Sequence, residues 1–178
     1  MATPLQMVDL TSAIANGGTR YKPIILESIS MADGRIVYQS KPQVIGKVPL
    51  SAPSLELVRK GLWEVVNGDK GTARGIRLAD IEISGKTGTS QVISRKKDDT
   101  RPEEERPAHL RPHAWFIAYA PSAAPEIAVA VLVEHGEHGS SAAAPIATEL
   151  IKTFLRPGPS VDRAAKNQNR VAEEGESG

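Results

Sequence analysis

The residues with the clearest chemical potential lie in Ser84–Gln91, where Lys86, Thr87, Gly88 and Thr89 follow one another. In a strand, alternate side chains lie on the same face, so we expect Lys86 to point into a cleft and Thr87 to present its hydroxyl near the rim. Gly88 has no side chain to keep a substrate backbone away, and the Thr89 N–H can donate to a carbonyl oxygen that gains charge. This pattern suits a substrate with a carboxylate and a peptide bond.

Gly85-Lys86-Thr87 also resembles the end of a phosphate-binding P-loop, and two observations argue against that interpretation. A P-loop needs a glycine about five positions before its second glycine, and that position holds Asp80, which would repel phosphate. A P-loop also leads from a strand into a helix, whereas Thr89–Ile93 is rich in β-branched residues and predicts a strand. We therefore favour the strand over a nucleotide site.

Histidines suggest a second kind of chemistry, because two pairs have spacings found in zinc sites. The residues concerned are His109 with His113, and His135 with His138 beside Glu134 and Glu137. Both pairs flank loops rich in glycine or proline, so solvated loop histidines are the simpler interpretation. We expect no metal and no cofactor.

Gly68–Gly75 is glycine-rich enough to bind an anion through its backbone, but a plain connection between a helix and a strand is the favoured interpretation.

Composition limits the classes of protein. The length of 178 residues fits one domain, and 22 basic against 21 acidic residues give a net charge of +1, which argues against nucleic-acid binding. The absence of cysteine excludes disulfides, thiolate metal sites and a cysteine nucleophile. The longest apolar run, Ile127–Val133, is much shorter than the ~20 residues of a spanning helix. A helix start directly after Met1-Ala2 suggests a piece cut from a longer chain.

The first half of the chain predicts two helices around a hairpin. Thr3-Pro4 starts the first helix, which ends at Asn16-Gly17-Gly18. Pro23–Ser30 and Arg35–Gln39 read as strands of a hairpin with Asp33-Gly34 at its turn, and Lys41–Pro49 reads as a connector. The second helix begins at Ser51-Ala52-Pro53, ends near Asn67-Gly68 and has an apolar stripe. The stripe consists of Leu55, Val58, Leu62 and Val65.

The second half predicts three strands and a helix. The strands are Ile81–Ile93, His113–Ala120 and Glu126–Glu134, and the last is apolar on both faces, so we expect it to be covered on both sides. Ser94–Arg111 holds six basic and five acidic residues and reads as a long exposed loop. The final helix runs from Gly139–Ser141 to about Leu155, with Ile146, Leu150 and Phe154 as its stripe. Residues 158–178 read as a disordered polar tail.

These motifs, in this order, resemble the penicillin-binding transpeptidases. Ser84–Gln91 is similar to the third motif of that family, in which Lys-Thr-Gly lies on a strand. The helix Leu55–Asn67 followed by Gly71-Thr72-Ala73 is similar to the segment before that motif. Ala114–Pro121, Ile127–Glu134 and the final helix are similar to the two strands and the last helix that follow it.

The resemblance extends from Thr3 to about Leu155. The opening Thr3-Pro4-Leu5-Gln6 with Ala15-Asn16-Gly17-Gly18 is typical of the class B enzymes, and the charged insert before His113-Ala114-Trp115-Phe116 is most similar to the penicillin-binding protein 2 group, the elongation transpeptidases. The resemblance implies a partial α+β fold of the penicillin-binding-protein and β-lactamase type, with an antiparallel sheet packed by helices. Residues 1–157 would be the C-terminal portion of the transpeptidase domain.

Two family motifs are absent from their usual places. The family nucleophile lies in Ser-x-x-Lys at the start of a buried helix, where the lysine can activate the hydroxyl, and a second motif is Ser-x-Asn. No Ser-x-Asn occurs here, and the one Ser-x-x-Lys, Ser94 to Lys97, follows the third motif in the charged loop. We interpret that match as accidental. The chain therefore resembles part of a transpeptidase domain without its nucleophile.

The resemblance also implies roles for the matched residues. Lys86 would help to hold the substrate carboxylate and the local proton network, and would be the catalytic residue of this segment. Thr87 would hydrogen-bond the carboxylate of the substrate or of penicillin, Gly88 would allow close approach, and the Thr89 N–H would form half of the oxyanion hole. An ordinary strand with an exposed lysine is the alternative interpretation of the same residues.

For the parent protein, the resemblance implies a D,D-transpeptidase that cross-links peptidoglycan. Its ligands would be the D-Ala-D-Ala stem peptide and β-lactams, it would be anchored at the periplasmic face of the inner membrane, and other cell-wall elongation proteins would be partners. The isolated chain is expected to be inactive, and the exposed edge of its last strand predicts self-association. The alternative is a non-enzymatic interaction module of the cell-wall machinery, which would bind a partner through the sheet edge or the charged loop.

Overall fold

The computed structural model describes residues 2–92 and 107–156. Within these residues the helices are α1 (Pro4–Ala15), α2 (Ala52–Asn67) and α3 (Ala144–Leu155). The strands are β1 (Thr19–Tyr21), β2 (Ser28–Ser30), β3 (Ile36–Gln39), β4 (Val44–Lys47), β5 (Ser84–Ser90), β6 (His113–Ala120) and β7 (Ile127–Val133). Short 3₁₀ turns cover Arg74–Ile76 and Ala108–Leu110, and a π-helical turn, Gly139–Ala143, leads into α3.

The central sheet has the order β5-β6-β7, and both pairings are antiparallel. The α+β prediction with an antiparallel sheet of these three strands is therefore confirmed. β6 has the predicted bounds, whereas β5 is shorter than the predicted strand Ile81–Ile93. Ile81 and Ile83 are buried in the core before the paired part of the strand begins, and Ile93 lies outside the described residues.

Helices lie on both faces of the sheet, as the two apolar faces of β7 predict, although Ala128, Ala130 and Leu132 on one of these faces are only half-buried. α3 packs on the face that presents Phe116, Val129 and Val131, all buried. On the opposite face, Ile14 and the end of α1 pack with Tyr119 and Ala128. Burial of the Phe116 side chain alone stabilises the fold by about 2–3 kcal/mol. The sheet is thus the middle layer of the molecule, and β5 is one of its edges in the described part of the chain.

α1 and α2 follow their predicted signals. Thr3 and Gln6 form a reciprocal capping box at the start of α1, and the Asn16 side chain ties the end of α1 to Thr19 through two hydrogen bonds. The Ser51 hydroxyl accepts from the Ser54 N–H at the start of α2.

The apolar stripe predicted on α2 is correct in part. Leu55 is buried, Leu62 and Val65 are half-buried, but Val58 is exposed, and Val66 is the most buried residue of the helix.

The stripe predicted on α3 is wrong. Ile146, Leu150 and Phe154 are 46%, 50% and 41% exposed. The face that meets the core consists of Ala144, Ala147, Thr148 and Ile151. Alanines allow the helix axis to approach the sheet closely, and the larger apolar residues then lie on the outside. The prediction placed the large apolar residues in the core, and this assumption gave the wrong buried face for this helix.

The segment between α1 and α2 is a long β-ribbon. β2 and β3 form the predicted hairpin around Asp33-Gly34, although β2 covers only the end of the predicted strand Pro23–Ser30. The interpretation of Lys41–Pro49 as a mere connector is wrong, because β4 lies within it and pairs with β1. β1 has only three residues and no alternating pattern, so nothing in its sequence marked it as a partner.

Two predictions fall mainly on residues that are not described. The charged segment Ser94–Arg111 lies outside the described residues up to position 106, and its end forms the 3₁₀ turn before Arg111. The predicted tail 158–178 also lies outside them. Among residues 2–92 and 107–156, no helix is long and apolar enough to cross a membrane.

Candidate functional site

The four predicted site residues are consecutive on the edge strand β5. Lys86 is exposed, and its ammonium nitrogen Nζ donates to the carbonyl oxygen of Thr87 at 2.7 Å. Thr87 and Gly88 are half-buried, and Thr89 is exposed. The structure therefore places all four side by side along a strand that has a neighbour, β6, on one side only within the described residues.

The hydrogen bond from Lys86 shows how the peptide groups of β5 are directed. In an antiparallel pair, one residue directs both its N–H and its C=O to the neighbouring strand, and the next directs both away. The Thr87 carbonyl accepts from an exposed side chain, so Thr87 belongs to the outward set. Thr89, two residues further on, shares its direction. We infer from this alternation that the N–H groups of Thr87 and Thr89 line the open edge of the sheet.

Two glycines allow the backbones around β5 to approach closely. A Cβ on Gly139 would lie 2.2 Å from the Trp115 carbonyl oxygen and 3.0 Å from the Gly88 nitrogen, so the turn after β7 packs directly on the β5–β6 pair. A Cβ on Gly88 would lie 3.1 Å from the Cβ of Trp115. Gly88 therefore has a packing function beside the expected one of admitting a substrate.

A hydroxyl from the α2–β5 loop reaches the site. The Oγ1 atoms of Thr72 and Thr87 are 3.1 Å apart and share a hydrogen bond. The loop is held on both sides of Thr72. A Cβ on Gly71 would lie 2.4 Å from the Val65 carbonyl oxygen, and the Ala73 N–H donates to that same oxygen at 2.9 Å. Nothing in the spacing of the sequence pointed to Thr72, because the contact joins a loop and a strand.

The connection between β7 and the π-helical turn forms the other wall. The Thr89 hydroxyl donates to the Glu137 carbonyl oxygen at 3.4 Å, and the Glu137 carboxylate pairs with Arg111 at 2.9 Å. His135 and Glu137 have φ values of 56° and 63°, a backbone conformation that is unfavourable for residues other than glycine. The hydrogen bonds and the ion pair hold this connection in a conformation that costs about 1–2 kcal/mol per residue.

The histidines that contact each other, His113 and His135, belong to different zinc-like spacings, and His113 lies on β6 rather than in a solvated loop. His113 Nδ1 accepts from the His135 N–H at 3.0 Å, and the two rings lie 4.9 Å apart. His135 Nδ1 is 3.1 Å from the carbonyl oxygen of Arg111. These contacts tie β6 to the connection after β7. Within the described ranges, no three His, Cys, Asp or Glu side chains lie close enough together to hold a metal ion.

A groove of about 670 Å³ runs beside β5. Lys86 and Gly88 form its polar rim, and Trp115, Ile117 and Leu132 are among the residues of its apolar floor. These side chains alternate along the three strands and share one face of the sheet. The arrangement places a cation, hydroxyls and outward N–H groups along one edge of the sheet. These groups can bind a carboxylate and donate hydrogen bonds to a peptide backbone.

Comparison with known proteins identifies this arrangement. The penicillin binding protein transpeptidase domain family matches residues 1–152. The peptidoglycan D,D-transpeptidase MrdA of Haemophilus influenzae is 32% identical over 158 residues, which cover 86% of this chain and 24% of that protein. The chain thus spans about a quarter of the length of this relative.

Solved structures give the same result. Penicillin-binding protein A of Mycobacterium tuberculosis, as a penicillin G acyl-enzyme complex, is similar with a TM-score of 0.66 and 29% identity, over 87% of this chain and 32% of that one. Penicillin-binding protein 2 of Helicobacter pylori, in complex with MreC, has a TM-score of 0.63 and 30% identity, over 88% and 25%. The resemblance found in the sequence is confirmed: the chain belongs to the transpeptidase domain family of penicillin-binding proteins, in the class B group of the penicillin-binding protein 2 type.

Proposed function

We propose that this chain supplies the substrate-binding strand of a peptidoglycan D,D-transpeptidase. The observation that carries the proposal is the open edge of β5, where the Lys86 ammonium and the outward N–H groups of Thr87 and Thr89 lie together. An extended peptide adds to such an edge through main-chain hydrogen bonds. The D-Ala-D-Ala end of a stem peptide has the required chemistry, an extended backbone that ends in a carboxylate.

Each residue of the strand has a distinct task in this proposal. Lys86 attracts the terminal carboxylate and belongs to the proton network, Thr87 donates its hydroxyl hydrogen to the same carboxylate, and Gly88 leaves room for the peptide. The Thr89 N–H donates to the carbonyl oxygen as it becomes an oxyanion. Loss of one oxyanion donor typically costs about 3–4 kcal/mol of transition-state stabilisation.

The reaction is acyl transfer through a serine that lies outside residues 1–178. Its oxygen attacks the carbonyl of the D-Ala-D-Ala bond, the terminal D-Ala leaves with the proton as an amine, and an ester forms. An amine of a neighbouring peptide then attacks the ester and releases the serine. A β-lactam acylates the same serine but its leaving amine stays attached. The chain itself holds only the third of the family motifs, with Ser94–Lys97 as an unrelated match.

We propose the corresponding setting for the complete protein. Residues 1–157 are the C-terminal portion of its transpeptidase domain, and residues 158–178 are a tail. The protein works at the periplasmic face of the inner membrane, in cell elongation and shape. Support for partners in the elongation machinery comes from the similar H. pylori protein, whose structure is a complex with MreC.

A fluorescent penicillin tests the proposal. The complete protein that carries this chain is expected to give a covalent band on a gel, and Lys86→Ala to slow its formation by about 100-fold or more. Lys60→Ala, which removes an exposed lysine from α2, is the matched control and leaves the rate unchanged. The 178-residue chain alone is expected to give no covalent band. Full labelling of Lys86→Ala would contradict the assignment, and absence of labelling with intact partner binding would favour an interaction module.

A further inference from the structure

We propose that Thr72 is a positioning residue for the carboxylate site, acting through the hydroxyl of Thr87. This inference rests on the proposed function, in which Thr87 holds the carboxylate of the substrate. It goes beyond that function by adding a residue from another part of the chain, 15 positions earlier in sequence. The observation that carries it is the hydrogen bond between the two Oγ1 atoms, 3.1 Å long.

The donor count of the two hydroxyls determines how they must be arranged when a carboxylate is bound. A threonine hydroxyl has one hydrogen to donate and two lone pairs to accept with. A carboxylate accepts only, so Thr87 must donate its single hydrogen to the substrate. The bond between the hydroxyls then has one direction: Thr72 donates and Thr87 accepts. A hydroxyl that accepts in this way is polarised and donates more strongly.

The backbone around Thr72 is firmly placed, which a positioning residue requires. The Val65 carbonyl oxygen accepts from the Ala73 N–H, and Gly71 lies so close to it that a Cβ there would be only 2.4 Å away. Ala73 is buried in the core. The backbone that carries the Thr72 hydroxyl is thus tied to α2 and does not move with β5. In the proposal, its hydrogen bond favours the rotamer of Thr87 in which the two Oγ1 atoms meet.

The same residue contributes little to the stability of the fold. The hydrogen bond between the two hydroxyls is exposed, so when Thr72 loses its hydroxyl the Thr87 hydroxyl can bond to water instead. Removal of the hydroxyl should therefore affect acylation and leave the folded structure intact. This separates the positioning function from a structural one.

The test compares Thr72→Val and Thr72→Ser in the complete protein that carries this chain. We expect Thr72→Val to lower the second-order rate constant of acylation by penicillin G about fivefold to tenfold. Thr72→Ser keeps a hydroxyl and should restore most of the rate. Thr148→Val removes a hydroxyl that bonds Ala144 in α3, away from β5, and should leave the rate unchanged.

Two further measurements test the route through Thr87. In a Thr87→Val background the Thr72→Val change should have no further effect, because the hydroxyl it positions is gone. With the methyl ester of penicillin G, followed by mass spectrometry, Thr72→Val should have a smaller effect, because a neutral ester carbonyl accepts a weaker hydrogen bond from Thr87 than a carboxylate does.

An unchanged rate in Thr72→Val, additive losses in the double variant, or an equal loss with the acid and its ester would each overturn the inference. The proposed function is judged separately, since Lys86→Ala addresses it without Thr72.

Discussion

A methyl group added at Gly139 tests whether the turn after β7 packs directly on the β5–β6 pair. Its Cβ would lie 2.2 Å from the Trp115 carbonyl oxygen and 2.9 Å from that of Gly88. Both neighbours are backbone atoms of paired strands, so neither can rotate away. Such overpacking costs about 1–3 kcal/mol, and the reduced freedom of the unfolded chain returns about 0.4–1 kcal/mol only where the native conformation is unstrained. We expect Gly139→Ala to destabilise the fold by about 2 kcal/mol.

Urea denaturation of the chain, followed by circular dichroism, measures this change. For a slope of about 2 kcal/mol per molar urea, the midpoint of Gly139→Ala should fall by about 1 M. Gly61→Ala is the control. Gly61 is exposed in the middle of α2, with no atom within 4 Å of the added Cβ, so alanine should raise stability by up to about 1 kcal/mol.

Both variants add one methyl group to a glycine. The difference between their urea midpoints therefore reports the surroundings of the two positions. If Gly139→Ala left the midpoint where it is, or raised it as Gly61→Ala should, the turn would not lie on the strand pair. The explanation of the site as a strand held by its neighbours would then fail. In the complete protein, Gly139→Ala should also slow acylation, because a shift of β5 that relieves the contact displaces Gly88.

Three further outcomes follow from the structure. Asn67→Ala should cost about 1–3 kcal/mol in urea denaturation, because the Asn67 amide donates to the buried Ile83 carbonyl oxygen at 2.9 Å and alanine leaves that acceptor without its side-chain donor; an unchanged midpoint would contradict this. Phe116→Ala, at a fully buried position, should cost about 3–5 kcal/mol by the same measurement, and a loss below 1 kcal/mol would refute the core assignment. The isolated chain should show concentration-dependent association in sedimentation velocity, because β7 has a partner on one side only among the described residues; a monomer at high concentration would count against it.

The parts of the fold that follow from local chemistry were predictable from the sequence. The capping residues Thr3 and Ser51 mark helix starts that the structure keeps, and Asp33-Gly34 marks the hairpin turn. Lys86 lies on a strand, as the β-branched residues around it indicate. Each of these signals acts within a few residues, so tertiary contacts did not have to be known.

The features that escaped prediction depend on contacts between distant segments. The pairing of β4 with β1 joins residues that are about 25 positions apart in the sequence. Neither strand is long enough to show an alternation of apolar and polar residues. The buried face of α3 depends on how closely Ala144 and Ala147 let it approach the sheet, which the size of its apolar residues does not reveal. Thr72 became part of the site only through the fold of the loop after α2.

The open edge of β5 raises the question of how a strand can bind peptides without pairing with every other strand it meets. Exposed edges are commonly protected by charged side chains, above all lysine. Here Lys86 places its ammonium on the Thr87 carbonyl oxygen, which is one of the outward acceptors that a foreign strand would use. An ammonium has three hydrogens to donate, so two remain for a carboxylate. The lysine can thus oppose pairing with a neutral strand and still attract a peptide that ends in a carboxylate, which is the selectivity that the proposed function requires.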